Sequence, residues 1–380
     1  MAAGAYHTVA IKNDGTLWAW GLNEYGQLGN CTTTNNTYPV QVMSDVKSVS
    51  AGYEHTVALK EDGTLWAWGR NNFGQLGLGD GGAGKERTSP KQIGVATNWV
   101  SVFAGYAHTL AIDNDGKFWA WGQNYYGQLG KGYAFDDPSD SNAHYSPVQV
   151  GTATDWITVS VGNYHTVVLK KNGTLWAWGM NSSGQLGKGN NYIVDNHIEN
   201  YNPVQVGTDT DWITVFAVGS HTVAIKSNGT LWAWGSNNYG QLGKGNADPD
   251  GGGSSYPDNY SPKQIGVATD WASVSGGLYH TIAHKKNGTL WAWGRNNYGQ
   301  LGKGNANDGS SYPENYSPER LGEAADLVGV SGGLYHSTAL RRSGILWTWG
   351  YNNYGQLGND TIPTTGLYNY SPKPIAVKWK

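Results

Sequence analysis

Seven copies of one pattern fill this chain, and that repetition limits the fold more than any local propensity. The tryptophan pair W-x-W recurs at Trp18/Trp20, Trp66/Trp68, Trp119/Trp121, Trp176/Trp178, Trp232/Trp234, Trp291/Trp293 and Trp347/Trp349. Each pair is followed within about ten residues by G-Q-L-G, and the period is roughly 50 to 60 residues, the mark of a repeat architecture. A unit of this kind buries its apolar face only against its neighbours. One closed assembly over residues 1–380 is therefore expected, although the length alone would suggest two or three domains.

One unit reads as four short strands. In the second copy, Lys47 to Ala51 alternates and breaks at Gly52, and His55 to Lys60 alternates again. Glu61-Asp62-Gly63 is a turn, Thr64 to Trp68 is the third strand, and Ser89 to Ile93 is the fourth, with Pro90 tolerated on an outer edge. Asp-Gly or Asn-Gly occupies the turn in six copies and Ser343-Gly344 in the seventh, as a tight hairpin with positive φ requires. Residues two apart in a strand share a face, so Trp66 and Trp68 project together and Leu65 and Ala67 project oppositely. Bulky rings on one side and small residues on the other let sheets interdigitate around a ring. The expected fold is all-β, a seven-bladed β-propeller of four-stranded antiparallel blades.

The ends of the chain carry parts of one unit. Ser371 to Lys380 reads as a fourth strand plus the start of a first strand, and Met1 to His7 continues it, with a register difference of one residue. Trp379 then takes the slot of Trp99, Trp156, Trp212 and Trp271. The ring is expected to close by pairing the C-terminal and N-terminal segments in one shared blade, leaving no free edge.

Composition narrows the function more than the fold. Charged residues make up 14% of the chain and the formal net charge is -3, which argues against a polyanion-binding surface and so against nucleic acid as a partner. The single cysteine, Cys31, excludes an intrachain disulfide framework. No apolar run approaches the roughly 18 residues of a membrane span, and MAAGAYHT is already repeat sequence with no signal peptide. A monomer is expected, with a secreted or cell-surface location slightly favoured over the cytoplasm.

The unit G-x-x-H-T-[VLI]-A-[LI]-K-x-[DN]-G-T-L-W-A-W-G-x-N-x-x-G-Q-L-G resembles the repeat of the RCC1 (regulator of chromosome condensation) family, in its bacterial form, over essentially the whole chain. The resemblance implies a seven-bladed propeller; it does not fix a function. Three activities known in that family bear on this chain. A nuclear member catalyses nucleotide exchange on the small GTPase Ran with a wedge and a basic tail, and this sequence has no basic tail. A plant UV-B photoreceptor carries G-W-R-H-T motifs; the matching stretches here begin Gly52-Tyr53-Glu54-His55, Gly105-Tyr106-Ala107-His108 and Gly277-Leu278-Tyr279-His280, without the Trp and Arg. A bacterial β-lactamase inhibitory propeller docks a protein through loops of one face, and this is the nearest in chemistry.

Strand alternation puts the loop between strands one and two on the same face as the long loop after strand three. The first loop carries a tyrosine in six copies, Tyr6, Tyr53, Tyr106, Tyr164, Tyr279 and Tyr335, while the fifth copy is shortened to Gly219-Ser220. Tyrosine offers rigid area and a hydroxyl at small entropic cost, so these six and Glu54 are the candidate partner-binding residues. The alternative is that the rings pack inward. The long loops include Tyr133 to Tyr145, Asn190 to Tyr201, Asn246 to Tyr260 and Asn305 to Tyr316; they are either a recognition surface or solvated chain. Within them Asn246, Asp248 and Asp250 have calcium-loop spacing, but the twelfth position is Pro257 in place of Glu.

Seven histidines, His7, His55, His108, His165, His221, His280 and His336, recur once per unit and read as structural, being too widely spaced to share a metal. His284 replaces an apolar residue of the other copies, and the sequence offers no reason for it. The asparagines of G-x-N and the glutamines of G-Q-L-G are expected to bond loop backbone. No G-x-S-x-G, P-loop or H-E-x-x-H motif appears, so neither catalysis nor a cofactor is expected. The sequence favours a non-enzymatic scaffold that binds another protein on its tyrosine-rich face. Carbohydrate or cell-surface binding is the first alternative, and guanine-nucleotide exchange on a small GTPase the second.

Overall fold

Seven four-stranded antiparallel sheets, each built from strands consecutive in the chain, make up the computed structural model of the protein. It describes residues 1–134, 144–189, 200–245, 259–304, 315–323, 325–365 and 370–379. Blade two consists of Val46–Ala51, His55–Lys60, Leu65–Gly69 and Arg87–Gln92. The hairpin turn forms as its chemistry dictates. Gly63 has φ of 78°, the Asp62 carboxylate accepts from the Thr64 amide and hydroxyl at 3.0 and 2.6 Å, and a Cβ on Gly63 would lie 2.1 Å from the Thr97 carbonyl oxygen. Only glycine meets both the dihedral and the close approach.

The first strand departs from simple alternation. In blade two the pairing passes from Val46↔Lys60 to Ser48↔Leu59, and the same slip recurs at Trp99, Trp156, Trp212, Trp271 and Leu327. One extra residue is thus bulged out at each of these sites. It exposes Val100, Ile157, Ile213 and Val328 and leaves the preceding Trp or Leu turned into the blade. Fourth strands are ragged: Arg87–Gln92 begins two residues before Ser89, and in blade three only Val148–Gln149 is paired.

The tryptophan pairs join one blade to the next. Trp68 is fully buried against Val9, Leu17, Ala19 and Leu28 of blade one, while Val57, Leu59, Leu65 and Ala67 of blade two receive Trp121 of blade three. Burying such an indole is worth about 5 kcal/mol by area, as an upper bound. The first tryptophan of each pair is only half-buried. In five blades its indole N–H donates to the threonine beside the turn, as Trp66 does to Thr64 Oγ1 at 2.9 Å, and in blade three Trp119 donates to Asp113 instead. On this outer side a cation is clasped between rings: Lys170 Nζ lies 4.4 and 4.6 Å from Trp156 and Trp176 and pairs with Asp155.

The two ends meet through a side chain. Ala2–Ala3 pairs with His7–Ile11 inside blade one, and Tyr370–Ala376 pairs with Leu346–Tyr351 inside blade seven; no strand ladder joins the ends among the described residues. From Val377 the chain runs on to blade one, where the ring of Trp379 meets Trp18 and Trp20 edge-on at 5.8 and 5.9 Å. Lys12 Nζ lies over both Trp18 and Trp379, the same clasp seen at Trp156 and Trp176. The expected pairing of the two terminal segments in one shared blade is thus not formed as a ladder among the described residues; each end strand belongs to its own blade and side chains make the contact. Trp379→Ala is expected to destabilise the protein by about 2 kcal/mol, below the usual range for a buried tryptophan, because the ring is 38% exposed. An unchanged melting temperature would contradict closure through Trp379.

Candidate functional site

Two loops from each blade meet on one face, held together by backbone hydrogen bonds. The amide after each W-G donates to the carbonyl of the residue before each histidine: Arg70 to Glu54 at 2.8 Å, Met180 to Tyr164 at 2.8 Å, Arg295 to Tyr279 at 2.9 Å and Tyr351 to Tyr335 at 3.0 Å. The G-x-N and G-Q-L-G side chains fold the second loop as expected. Asn71 Oδ1 accepts from the Leu76 amide at 3.1 Å, and Gln75 Oε1 accepts from the Phe73 amide at 2.9 Å.

Beneath these loops the seven histidines are fully buried. In six blades Nε2 meets a hydroxyl of the next blade at 2.8–3.1 Å, for example His55 with Thr109 at 3.0 Å and His280 with Ser337 at 2.8 Å. That hydroxyl donates to a G-Q-L-G glutamine carbonyl, as Thr109 does to Gln75 O at 2.8 Å. It must therefore accept from histidine, which fixes the Nε2–H tautomer. His108 is the exception, with neither ring nitrogen bonded among the described residues. The imidazole fits under its loop because residue 52 is glycine; a Cβ there would lie 2.3 Å from His55 Cε1. Burial lowers the pKa of all seven to about 3, so they are neutral at physiological pH.

The six loop tyrosines form one connected run. Ring centroids are 5.2 Å apart for Tyr164–Tyr106, 4.3 Å for Tyr106–Tyr53, 6.2 Å for Tyr53–Tyr6, 6.4 Å for Tyr6–Tyr335 and 6.4 Å for Tyr335–Tyr279. Every one is half-buried, so the inward-packing alternative describes only part of each ring. Burial first, then neighbouring phenols, pushes Tyr53 and Tyr164 up to about 12 and raises Tyr6 further, and burial also raises Tyr279 and Tyr335. These five hydroxyls stay protonated and can donate. Inside the run opens an axial channel of ≈ 400 Å³, lined by the first strands, with Tyr53 and Tyr106 at its mouth.

A second aromatic row, which the sequence reading missed, backs the first. Tyr354 lies 5.1 Å from Tyr6, Tyr126 5.0 Å from Tyr164, Tyr239 4.7 Å from Tyr279 and Tyr298 5.3 Å from Tyr335. Its signal is the residue just before G-Q-L-G, aromatic in every copy but the fourth, where Ser183 stands. Both rows fail at adjacent blades, at Ser183 and at Gly219-Ser220, leaving a notch in the rim.

Glu54 is already engaged within the face. Its carboxylate is taken by Arg70 Nη1 at 2.6 Å, and that guanidinium lies over Tyr25, so Glu54 is tied into the face and is not a free acid on it. The calcium candidate Asn246, Asp248 and Asp250 lies outside the described residues, as does most of each long loop. Among the described residues no group of His, Cys, Asp and Glu is arranged to hold a metal ion, and no helix is long and apolar enough to cross a membrane. His284 is buried, its Nδ1 3.3 Å from the Lys285 carbonyl, and nothing in the structure explains the substitution.

Fold and face together define a seven-bladed propeller that presents a fixed aromatic rim around an axial channel. Residues 85–380 match the RCC1-like domain, and residues 14–59 and 46–75 match the regulator of chromosome condensation (RCC1) repeat; the chain belongs to that family. It is 30% identical over 368 residues to the ultraviolet-B receptor UVR8 of Arabidopsis thaliana, across 94% of this chain and 78% of that protein. With the E3 ubiquitin-protein ligase HERC2 of Homo sapiens it shares 27% over 367 residues, which is 93% of this chain and 7% of the ligase. The fold superposes on yeast RCC1 (Prp20), solved bound to Kap60, with a TM-score of 0.81 at 20% identity, covering 98% and 85% of the two chains. Human WBSCR16 gives 0.77 at 21%, covering 96% and 94%.

The buried histidines make the fold sensitive to acid. Their folded pKa lies below the ordinary value of about 6.5, so below that pH the unfolded chain binds more protons than the folded one. Stability is expected to be complete above pH 6.5 and to fall as pH drops toward 3, with a limiting slope of about 1.4 kcal/mol per pH unit for each histidine. Urea midpoints between pH 7.5 and pH 4.5 are the check, and a flat profile would contradict it.

Proposed function

We propose that this propeller is a non-enzymatic binding protein and that its tyrosine-lined face docks another protein. The observation that carries the reading is the connected run of Tyr164, Tyr106, Tyr53, Tyr6, Tyr335 and Tyr279, half-buried and fixed from below. Each ring has lost its freedom before any partner arrives, so little further ordering entropy opposes docking. Exposed ring edges and protonated hydroxyls supply apolar area and donors together, the combination enriched at binding hot spots. Prp20p of Saccharomyces cerevisiae, which shares this fold, has been solved with a study of its binding to Gsp1p and histones.

Tyr53, Tyr106, Tyr164 and Tyr279 changed together to Ala are expected to abolish capture of the protein partner while the fold survives. Proteins retained from native lysate by the wild type and by the variant, compared by quantitative mass spectrometry, test this. Undiminished capture by a variant of unchanged circular dichroism would place the site elsewhere.

A further inference from the structure

The chain has six arginines, and five of them are accounted for. Arg70, Arg87, Arg320 and Arg341 pair with Glu54, Asp80, Glu323 and Asp326, and Arg342 is exposed to solvent. Arg295 is half-buried in the aromatic rim and forms no ion pair among the described residues. Its guanidinium carbon lies 4.7, 5.3 and 5.7 Å from the rings of Tyr239, Tyr279 and Tyr335. The contrast with blade two is instructive. Arg70 and Arg295 hold the same place after W-A-W-G, and the residue facing Arg70 is Glu54, whereas the one facing Arg295 is Tyr279. Rings stabilise the cation only in part, and a guanidinium partly removed from water strongly favours a carboxylate acceptor.

We propose that Arg295 is the specificity anchor of the docking face, receiving an aspartate or glutamate side chain of the partner protein between Tyr239, Tyr279 and Tyr335. The proposal rests on the protein-docking reading and adds the partner's chemistry: an acidic side chain beside an aromatic or apolar one. The acid supplies the carboxylate that Glu54 supplies to Arg70, and the neighbouring apolar group covers the tyrosine edges. Docking this way replaces a water-facing side of the guanidinium with a charge-assisted hydrogen bond in a low-dielectric setting.

Capped peptides and the arginine side-chain N–H resonances test it, since six arginines give a resolvable spectrum. N-acetyl-Phe-Glu-amide is expected to shift the Arg295 Nε resonance saturably and to bind at least about tenfold tighter than N-acetyl-Phe-Gln-amide. Arg295→Gln is expected to remove that preference without changing the melting temperature. Equal binding of the two peptides with tyrosine resonances perturbed would overturn the Arg295 assignment and leave the docking face standing. No saturable shift from either peptide would also overturn it. Tighter binding of N-acetyl-Phe-Gln with a free C-terminus would assign the site to chain ends instead of acidic side chains. Wild-type dimerisation in sedimentation, lost in Arg295→Gln, would make the occupant a second copy and overturn the choice of partner.

Discussion

Each joint between blades turns on one backbone oxygen, that of the glutamine in G-Q-L-G. Gln27 O accepts from Trp68 Nε1 at 2.9 Å and from Thr56 Oγ1 at 2.8 Å, both belonging to the next blade. The pattern repeats around the ring to Gln356 O, which receives Trp20 Nε1 at 3.0 Å and Thr8 Oγ1 at 2.9 Å and so ties the last blade to the first. A carbonyl has two acceptor sites, and here both are filled inside an apolar seam where an unmade bond would be costly. The indole brings apolar area, and its N–H sets the angle and depth at which that area is buried. Packing and polar satisfaction therefore specify the same geometry.

The binding face follows from this joint. The loop that supplies the accepting carbonyl also carries the second aromatic row, and the threonine that donates to it meets the histidine under the tyrosine loop. Position is passed from the seam to the rim through short, saturated contacts. The opposite side of five blades uses different chemistry, a lysine or arginine set against tryptophan and neutralised by aspartate, as at Lys285 with Trp271, Trp291 and Asp270. Rim and base are thus chemically distinct, and the rim is where unspent aromatic area lies, with a guanidinium that has no ion-pair partner among the described residues.

Much of this architecture was legible in the sequence because it repeats. Period, turn glycines and the W-x-W face each follow from one-dimensional spacing, and Trp379 could be placed because its slot is filled in four other copies. What escaped depends on contacts across blades. The donors to Gln27 O lie 29 and 41 residues away, so no local pattern announces them. The first-strand bulge was hidden because W-V-S-V reads as alternation until its partner strand is known. Glu54 looked like a free acid for a partner, but Arg70, which holds it, is sixteen residues further on. The segments around Arg70 and Arg295 are nearly identical, W-G-R-N-N-[FY]-G-Q-L-G, and they differ in the residue delivered by the other loop, Glu54 or Tyr279.

Indole N–H exchange measures the joint directly. The fourteen paired tryptophans fall into two groups by the partner of Nε1: the second ring of each pair bonds a glutamine carbonyl inside a seam, and the first ring of six pairs bonds a side chain at the half-exposed outer edge. Trp20, Trp68, Trp121, Trp178, Trp234, Trp293 and Trp349 are predicted to exchange their indole protons only through global unfolding, at one common rate and far more slowly than Trp18, Trp66 and the other first-of-pair rings. Exchange of those seven at the rate of the first-of-pair rings would contradict the joint described here.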